Sequence, residues 1–397
     1  MRRGRLDAVV VGGGVVGAAC ALALSREDLS VVLVEGRVPP PWPAEAPDPR
    51  VYAFAPDSAA LLESLDVWPA VRGTRGHAPT PVQPYRRMRV WDAAGGGELV
   101  FDADRFGRGE LGWILEQGLL LDRLWQALAR DGVDLRCPAR VEGLEQDEDG
   151  VVLRLDDGTR LAARIAVAAD GARSTLRTLA GIEADGHDYA QSGIVAYVAT
   201  GRPHEATAWQ RFLPAGPLAF LPCADGSSSI VWTLPEARAQ DVLALDDEAF
   251  SRELTRAFDA RLGVATPLSP RLAFPLRRQL ARTYRAGRVL ALGDAAHVVH
   301  PLAGQGVNLG LRDVAALRDM VVDARRRRAG WDASQRLERW ARERRSEDAA
   351  AAYAFEGINS LFTSDALAAT LLRGPLLGLA GRLPPLAEAL WRRAAGT

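Results

Sequence analysis

The chain contains no lysine: all 49 basic residues among its 397 are arginine. That absence excludes enzymes built on a lysine Schiff base, such as pyridoxal-phosphate enzymes and Schiff-base aldolases. It also excludes the phosphate-binding lysine of a P-loop or a protein kinase. Cysteine is scarce. Cys20, Cys137 and Cys223 lie far apart with no C-x-x-C, which argues against a dithiol oxidoreductase or a cysteine zinc site and suits a reducing cytosol. A charge excess is missing too. The net charge of -1 gives no electrostatic case for a nucleic-acid partner. No uncharged apolar run is long enough to cross a bilayer. The early apolar run, 8–24, is interrupted by three glycines and reads as strand, turn and helix rather than a targeting segment. What remains is ordinary globular composition, 48% hydrophobic and 25% charged, with length for two or three domains.

Residues 7–11 form an apolar, β-branched run, as expected of a buried parallel strand. Glycines break it, 15–25 reads as a small-residue helix, and 29–35 as a second strand. This βαβ unit carries Gly12-x-Gly14-x-x-Gly17, with Glu35 18 positions past Gly17. The glycines suit a tight turn, close approach to a pyrophosphate and helix–strand packing, and the acid suits ribose hydroxyls. The motif alone does not separate FAD from NAD. Further on, 58–71 reads as a helix and 119–130 as another. Residues 150–155 and 159–161 read as a hairpin around Asp157-Gly158, and 164–169 as an apolar strand ending in Asp170-Gly171. From 192 to 234 short strands separated by turns predict an antiparallel second lobe. Strand 288–292 ends in Gly293-Asp294, an acid where α/β sheets place their ligands, followed by a glycine-rich approach to a helix near Val307.

The order of these motifs resembles the FAD-dependent aromatic hydroxylases, the single-component flavin monooxygenases. The run from Gly293 to Val314, GDAAHVVHPLAGQGVNLGLRDV, looks like their ubiquinone-biosynthesis branch. Asp48-Pro49-Arg50, Leu111 to Gln117 (LGWILEQ) and Phe101-Asp102-Ala103 agree with it. The runs PYRR at 84–87, DYAQS at 188–192 and FPLRR at 274–278 are most similar to the demethoxyubiquinol-type hydroxylases. The resemblance reaches to about residue 345 and departs at Gln117, where the branch more often has asparagine.

The resemblance implies an α/β fold: a Rossmann-like FAD-binding domain with an inserted antiparallel-sheet substrate domain and a helical C-terminus. The expected division is 1–75, 105–182 and 278–330 for FAD, 76–104 and 183–277 for the substrate lobe, and 331–397 for the helical region. Gly12, Gly14 and Gly17 would hold the pyrophosphate, with Val16 beside them, and Glu35 the ribose. Arg50, Gln117, Asp170 and Gly171 would face the cofactor, although Asp170 read alone is equally a strand-end cap. Gly293 and Asp294 would meet the ribityl chain. Gly304, Gly306, Val307 and Asn308 would present backbone groups to the flavin ring, with Pro301 beside it. Phe220, Ile230 and Trp232, with His300 and Pro301, are candidates to line the substrate pocket, and for the first three plain core packing is the favoured reading over that one. His297 and His300 are three apart, but no third ligand is evident, so no metal is expected. No nucleophile or general base is assigned.

The implied activity is FAD- and NAD(P)H-dependent hydroxylation of a polyprenylated phenol or quinol in ubiquinone biosynthesis, through a flavin hydroperoxide. NAD(P)H would bind transiently, since there is no second dinucleotide fingerprint. A halogenase would need a lysine. Hydroxylation of another small aromatic or secondary metabolite is one alternative. A non-catalytic FAD-binding scaffold subunit is another. The expected location is cytoplasmic, with peripheral contact at the inner face of the membrane and partners in a biosynthetic complex or a homo-oligomer. The Leu-rich segment 366–391 is read as a helical cap, a dimer contact or a membrane-facing surface.

Overall fold

The computed structural model describes residues 5–42, 48–73, 81–93, 97–299, 305–363, 388 and 391–392. The β-branched runs assemble as a parallel sheet. Leu6–Val11 lies between Val31–Val34 and Arg160–Ala168, parallel to both. Asp134–Arg136 extends the sheet on one side and Val289–Ala291 on the other. Every residue of Val31–Val34 is buried, which is why this strand is apolar throughout rather than alternating. Helix Val15–Arg26 packs against helices Gln117–Arg130 and Gln305–Arg326.

Arg160–Ala168 belongs to two patterns at once. Its first half alternates exposed and buried and pairs antiparallel with Val151–Leu155. Its second half is buried on both faces, inside the parallel sheet. The sequence pattern splits it in two because its periodicity changes where its environment does. The expected helix over 58–71 is likewise two helices, Pro56–Ser64 and Trp68–Arg72, interrupted where Asp66 adopts φ 47°.

A nine-stranded sheet is built on the long strand Ala184–Thr200, which pairs antiparallel with Ser228–Pro235 and Leu272–Ala281. Gly216–Pro222 and Thr207–Leu213 follow. Arg87–Asp92 then joins parallel to Thr207–Leu213 and carries Glu98–Asp102. Helices Glu236–Ala244 and Asp247–Ala257 cover one face, burying Val242, Phe250 and Leu254 against it. A three-stranded sheet joins Val51–Phe54, Gly112–Glu116 and Gln83–Tyr85. Helix Ser334–Thr363 closes the described core. Most of 366–391 lies outside the described residues. Trp391 stacks on Phe106 at 5.4 Å and sits under the Arg108 guanidinium.

Candidate cofactor and substrate site

The glycine turn sits at the C-terminal end of the first strand. Gly12 has φ +107°, and a Cβ there would lie 2.2 Å from the Ala169 carbonyl oxygen. A Cβ on Gly17 would lie 1.9 Å from the Gly12 carbonyl oxygen. Both positions are closed to other residues by the chain itself. Gly14 differs: its φ of -64° suits any residue, and a Cβ there would meet nothing within 4 Å. It begins helix Val15–Arg26, has no side-chain cap and faces a cavity. The space beside it, at a helix N-terminus with free N–H groups, suits a pyrophosphate that must approach backbone.

Glu35 fixes the turn. Its carboxylate accepts from the Gly13 N–H at 2.6 Å and from the Arg37 N–H at 2.9 Å, and a carboxylate has lone pairs left for two hydroxyls. Trp125 Nε1 donates to the Gly13 carbonyl at 2.8 Å, a support that no local motif announces. Arg50 and Gln117 meet at the end of the three-stranded sheet, where the Gln117 N–H donates to the Arg50 carbonyl at 3.0 Å. Tyr52 donates its hydroxyl to Gln117 Oε1 at 2.9 Å, and Arg50 reaches Asp48 at 3.2 Å. Asp170 is a helix cap. It accepts from the Thr175 N–H at 2.7 Å, the Leu176 N–H at 3.2 Å and the Ser174 hydroxyl, while still lining the cavity beside Gly171.

Val16 lines the cavity and packs against Gly293 and Gly310, where a Cβ would come within 3.1 and 2.6 Å of its methyls. Gly293 and Asp294 form a single turn after strand Val289–Ala291. Asp294 opens into the cavity but is enclosed by protein around it, and that burial pushes its carboxyl above the usual range against the opposing charge of His297. Beneath the turn lies a buried charged cluster. Asp313 accepts from the Gly293 N–H at 3.0 Å, from His297 at 2.7 Å and from Arg344 Nε at 2.7 Å. Arg344 also binds Asp348 at 2.7 Å, and His297 lies 3.5 Å from that carboxylate. His297, Asp313 and Asp348 have the spacing of a metal site, but the Arg344 guanidinium bridges the two carboxylates and supplies the cation. Burial works against charging His297, yet Asp348 and Asp313 outweigh it and lift its pKa to about 9.

Gly306 and Val307 line the cavity at the start of helix Gln305–Arg326. The Asn308 side chain points elsewhere. It accepts from the Ala55 N–H at 2.9 Å and the Ser58 hydroxyl at 2.8 Å, and donates to the Ala53 carbonyl at 2.9 Å. Asn308→Ala leaves these buried groups without that partner. The expected cost is about 2–3 kcal/mol in denaturant unfolding. A loss under about 0.5 kcal/mol would show that the clamp is dispensable. His300, Pro301 and Gly304 lie outside the described residues.

The cavity has a volume of about 990 Å³, at the upper end of the ~300–1,000 Å³ usual for small-molecule sites. It runs from the glycine turn to one face of the nine-stranded sheet. Here the pocket-lining candidacy of Phe220, Ile230 and Trp232 is corrected in favour of core packing: all three are buried against the helices on the opposite face. Strands alternate sides with every residue, so their neighbours Ala219, Leu221, Ser229, Val231 and Thr233 face the cavity instead. The bulky residues fill the core, and the small ones leave the space. Tyr85 also lines the cavity, and burial pushes its phenol up to about 12, so it stays protonated and able to donate.

A glycine turn at a strand end, opening on a cavity that a second sheet closes, is the arrangement of a flavin-dependent oxidoreductase. The chain belongs to the FAD binding domain family, which its residues 5–353 match. It is 38% identical over 344 residues to 3-demethoxyubiquinol 3-hydroxylase of Escherichia coli (strain K12), covering 86% of each chain. It is 37% identical to the ubiquinone hydroxylase UbiL of Rhodospirillum rubrum, over 98% of this chain and 90% of that one. In fold it is similar to p-nitrophenol 4-monooxygenase PnpA from Pseudomonas putida DLL-E4, with a TM-score of 0.77 over 98% of each chain at 20% identity. The chain is an FAD-dependent monooxygenase.

Proposed function

We propose that the chain hydroxylates the aromatic ring of a polyprenylated phenol or quinol in ubiquinone biosynthesis. The observation that carries this is the single cavity joining the glycine turn to an apolar, small-residue sheet face. The names of the relatives at 38% and 37% identity support the choice of substrate class. When bound, FAD reduced by NAD(P)H supplies the electrons that activate O₂ for transfer of one oxygen to the ring. The N-terminus of helix Val15–Arg26 and Gly14 hold the pyrophosphate, and the free lone pairs of Glu35 hold the ribose. Asp294 faces the ribityl chain, Arg50 and Gln117 border the cofactor, and Gly306 and Val307 offer backbone to the ring. Val195, Ala219, Leu221 and Val231 hold the substrate ring and keep water from it. The Tyr85 hydroxyl is a donor for an oxygen substituent on that ring.

In this reading 1–75, 105–182 and 278–330 serve the cofactor and 76–104 and 183–277 the substrate. The protein works in the cytoplasm against the inner face of the membrane, within a biosynthetic complex or as a homo-oligomer. Among the described residues no helix is long and apolar enough to cross a membrane. The test is NAD(P)H oxidation by the flavin-loaded protein with prenylated and tail-free phenols. Product heavier by one oxygen from the prenylated ring is expected. Folded, flavin-loaded protein that oxygenates only small polar aromatics would overturn the substrate class.

A further inference from the structure

Four of the seven large apolar side chains exposed among the described residues fall between 264 and 274. They are Val264, Leu268, Leu272 and Phe274, exposed by 61%, 58%, 41% and 40%. Scattered exposed apolar residues are unremarkable, but a row of them marks a contact surface. The register shows where this row leads. Leu272 is paired with Val195 and Phe274 with Gly193, and paired residues project to the same side of a sheet. Val195 and Gly193 both line the cavity, as do Phe274 and Leu276. Leu268 donates its N–H to the Tyr197 carbonyl and Val264 accepts from the Gly201 N–H, so the row follows the same strand outward. From Gly193 to Gly201 it is about 25 Å long at ~3.3 Å per residue. The strand bearing Leu272 and Phe274 pairs on its outer side only at Gln279 and Leu280 among the described residues. Among the described residues its first residues therefore form an open sheet edge at the cavity wall.

We propose that this strip is the doorway through which the apolar tail of the substrate leaves the cavity, and that it rests on the surface of a lipid bilayer. The proposal builds on the prenylated-substrate reading. A lipid surface is favoured because Leu272 and Phe274 share a sheet face with Val195 and Gly193 of the cavity wall, so the strip's apolar side chains lead into the face that holds the ring, with the Thr266 hydroxyl between Val264 and Leu268. The strip also bears few free charges. Arg271 is paired with Asp247, and Arg277 with Asp188, so insertion is driven by apolar area rather than by anionic headgroups.

The test uses the full-length, FAD-loaded protein and phosphatidylcholine vesicles. The triple variant Val264→Ser, Leu268→Ser, Leu272→Ser changes three side chains outside the cavity wall. Its vesicle partition coefficient is expected to fall by about 30-fold or more. KM for a long-tailed phenol in vesicles should rise, while turnover of the same ring without a tail stays within about twofold. Leu272→Trp, which enlarges the strip, should raise partitioning and guards against a misfolded triple variant. Wild-type protein that ignores vesicles, or variants that partition like it, would overturn the proposal. So would a wild-type dimer that the triple variant splits, since the edge would then be covered by a second copy. Failure with the tail-free ring as well would instead count against the hydroxylase reading.

Discussion

Gly12→Ala is expected to yield protein that folds poorly and retains no FAD, whereas Gly14→Ala should fold normally and lose FAD all the same. At Gly12 the added carbon meets the carbonyl oxygen and carbon of Ala169 and the Asp170 nitrogen at 2.2, 2.4 and 2.6 Å. These are backbone atoms of the neighbouring strand, which cannot rotate away as a side chain could. The left-handed φ adds about 1–2 kcal/mol of its own. At Gly14 neither objection exists. The helix loses a slightly better N-cap residue and the unfolded chain loses some freedom, and these nearly cancel, each being within about 1 kcal/mol. Only a ligand lying against the turn makes a methyl group there costly. Calorimetric unfolding of the apoproteins and flavin absorbance after gel filtration separate the two effects. The expected rise in FAD Kd for Gly14→Ala is about 100-fold or more, equivalent to about 2.7 kcal/mol. Wild-type flavin content in that variant would remove the pyrophosphate from this turn.

The second large effect concerns Arg344. Arg344→Met leaves Asp313 and Asp348 buried together with only the His297 ring between them as a cation. Breaking a buried pair on one side costs about 3–5 kcal/mol, to be read from chemical denaturation. The same cluster makes stability depend on pH. His297 carries a raised pKa of about 9 in the folded chain against about 6.5 unfolded. Its contribution is therefore complete below about pH 6.5 and is lost as pH rises through about 9. Burial also pushes Asp348 up, reinforced by the charge of Asp313, so it too favours the folded state less as pH rises. Burial opposes the ionised Asp313 as well, but His297 and Arg344 outweigh it and hold its carboxyl below the usual range. The wild type is thus expected to lose on the order of 1–3 kcal/mol between pH 6.5 and 9. His297→Gln should flatten that slope. An equally steep decline in His297→Gln would assign it to other groups.

The first βαβ unit is legible because everything that makes it is local. A buried parallel strand needs an unbroken β-branched run, and the turn after it needs glycine at fixed spacing. Glu35 follows because it ends the neighbouring strand. The reading falters where identity depends on what covers a surface. Alternation puts Ile230 and Trp232 on one face, but only the helices over 236–257, with Phe250 and Leu254, decide that this face is core. A better signal was present in the other half of the pattern, where Gly193, Ala208, Ala219 and Ser229 are too small to fill a core layer. The cluster under Gly293 was illegible for another reason. Asp313 and Arg344 lie on different helices, and no local spacing reveals that they meet a histidine from a third segment. Asn308 shows a milder version: its glycine-rich neighbourhood marks it as a site residue, yet its side chain clamps the turn before Pro56.

The alternation of the nine-stranded sheet also separates two kinds of inheritance. Phe220 and Trp232 answer to the helices behind them, whereas Ala219 and Val231 answer to whatever occupies the cavity, although they are next-door residues on the same strands. A lineage of such proteins can reshape its substrate space one cavity-facing position at a time while the alternate layer keeps the sheet folded. Selectivity and foldedness are thereby written in interleaved letters of the same strands, and drift in one need not be corrected in the other.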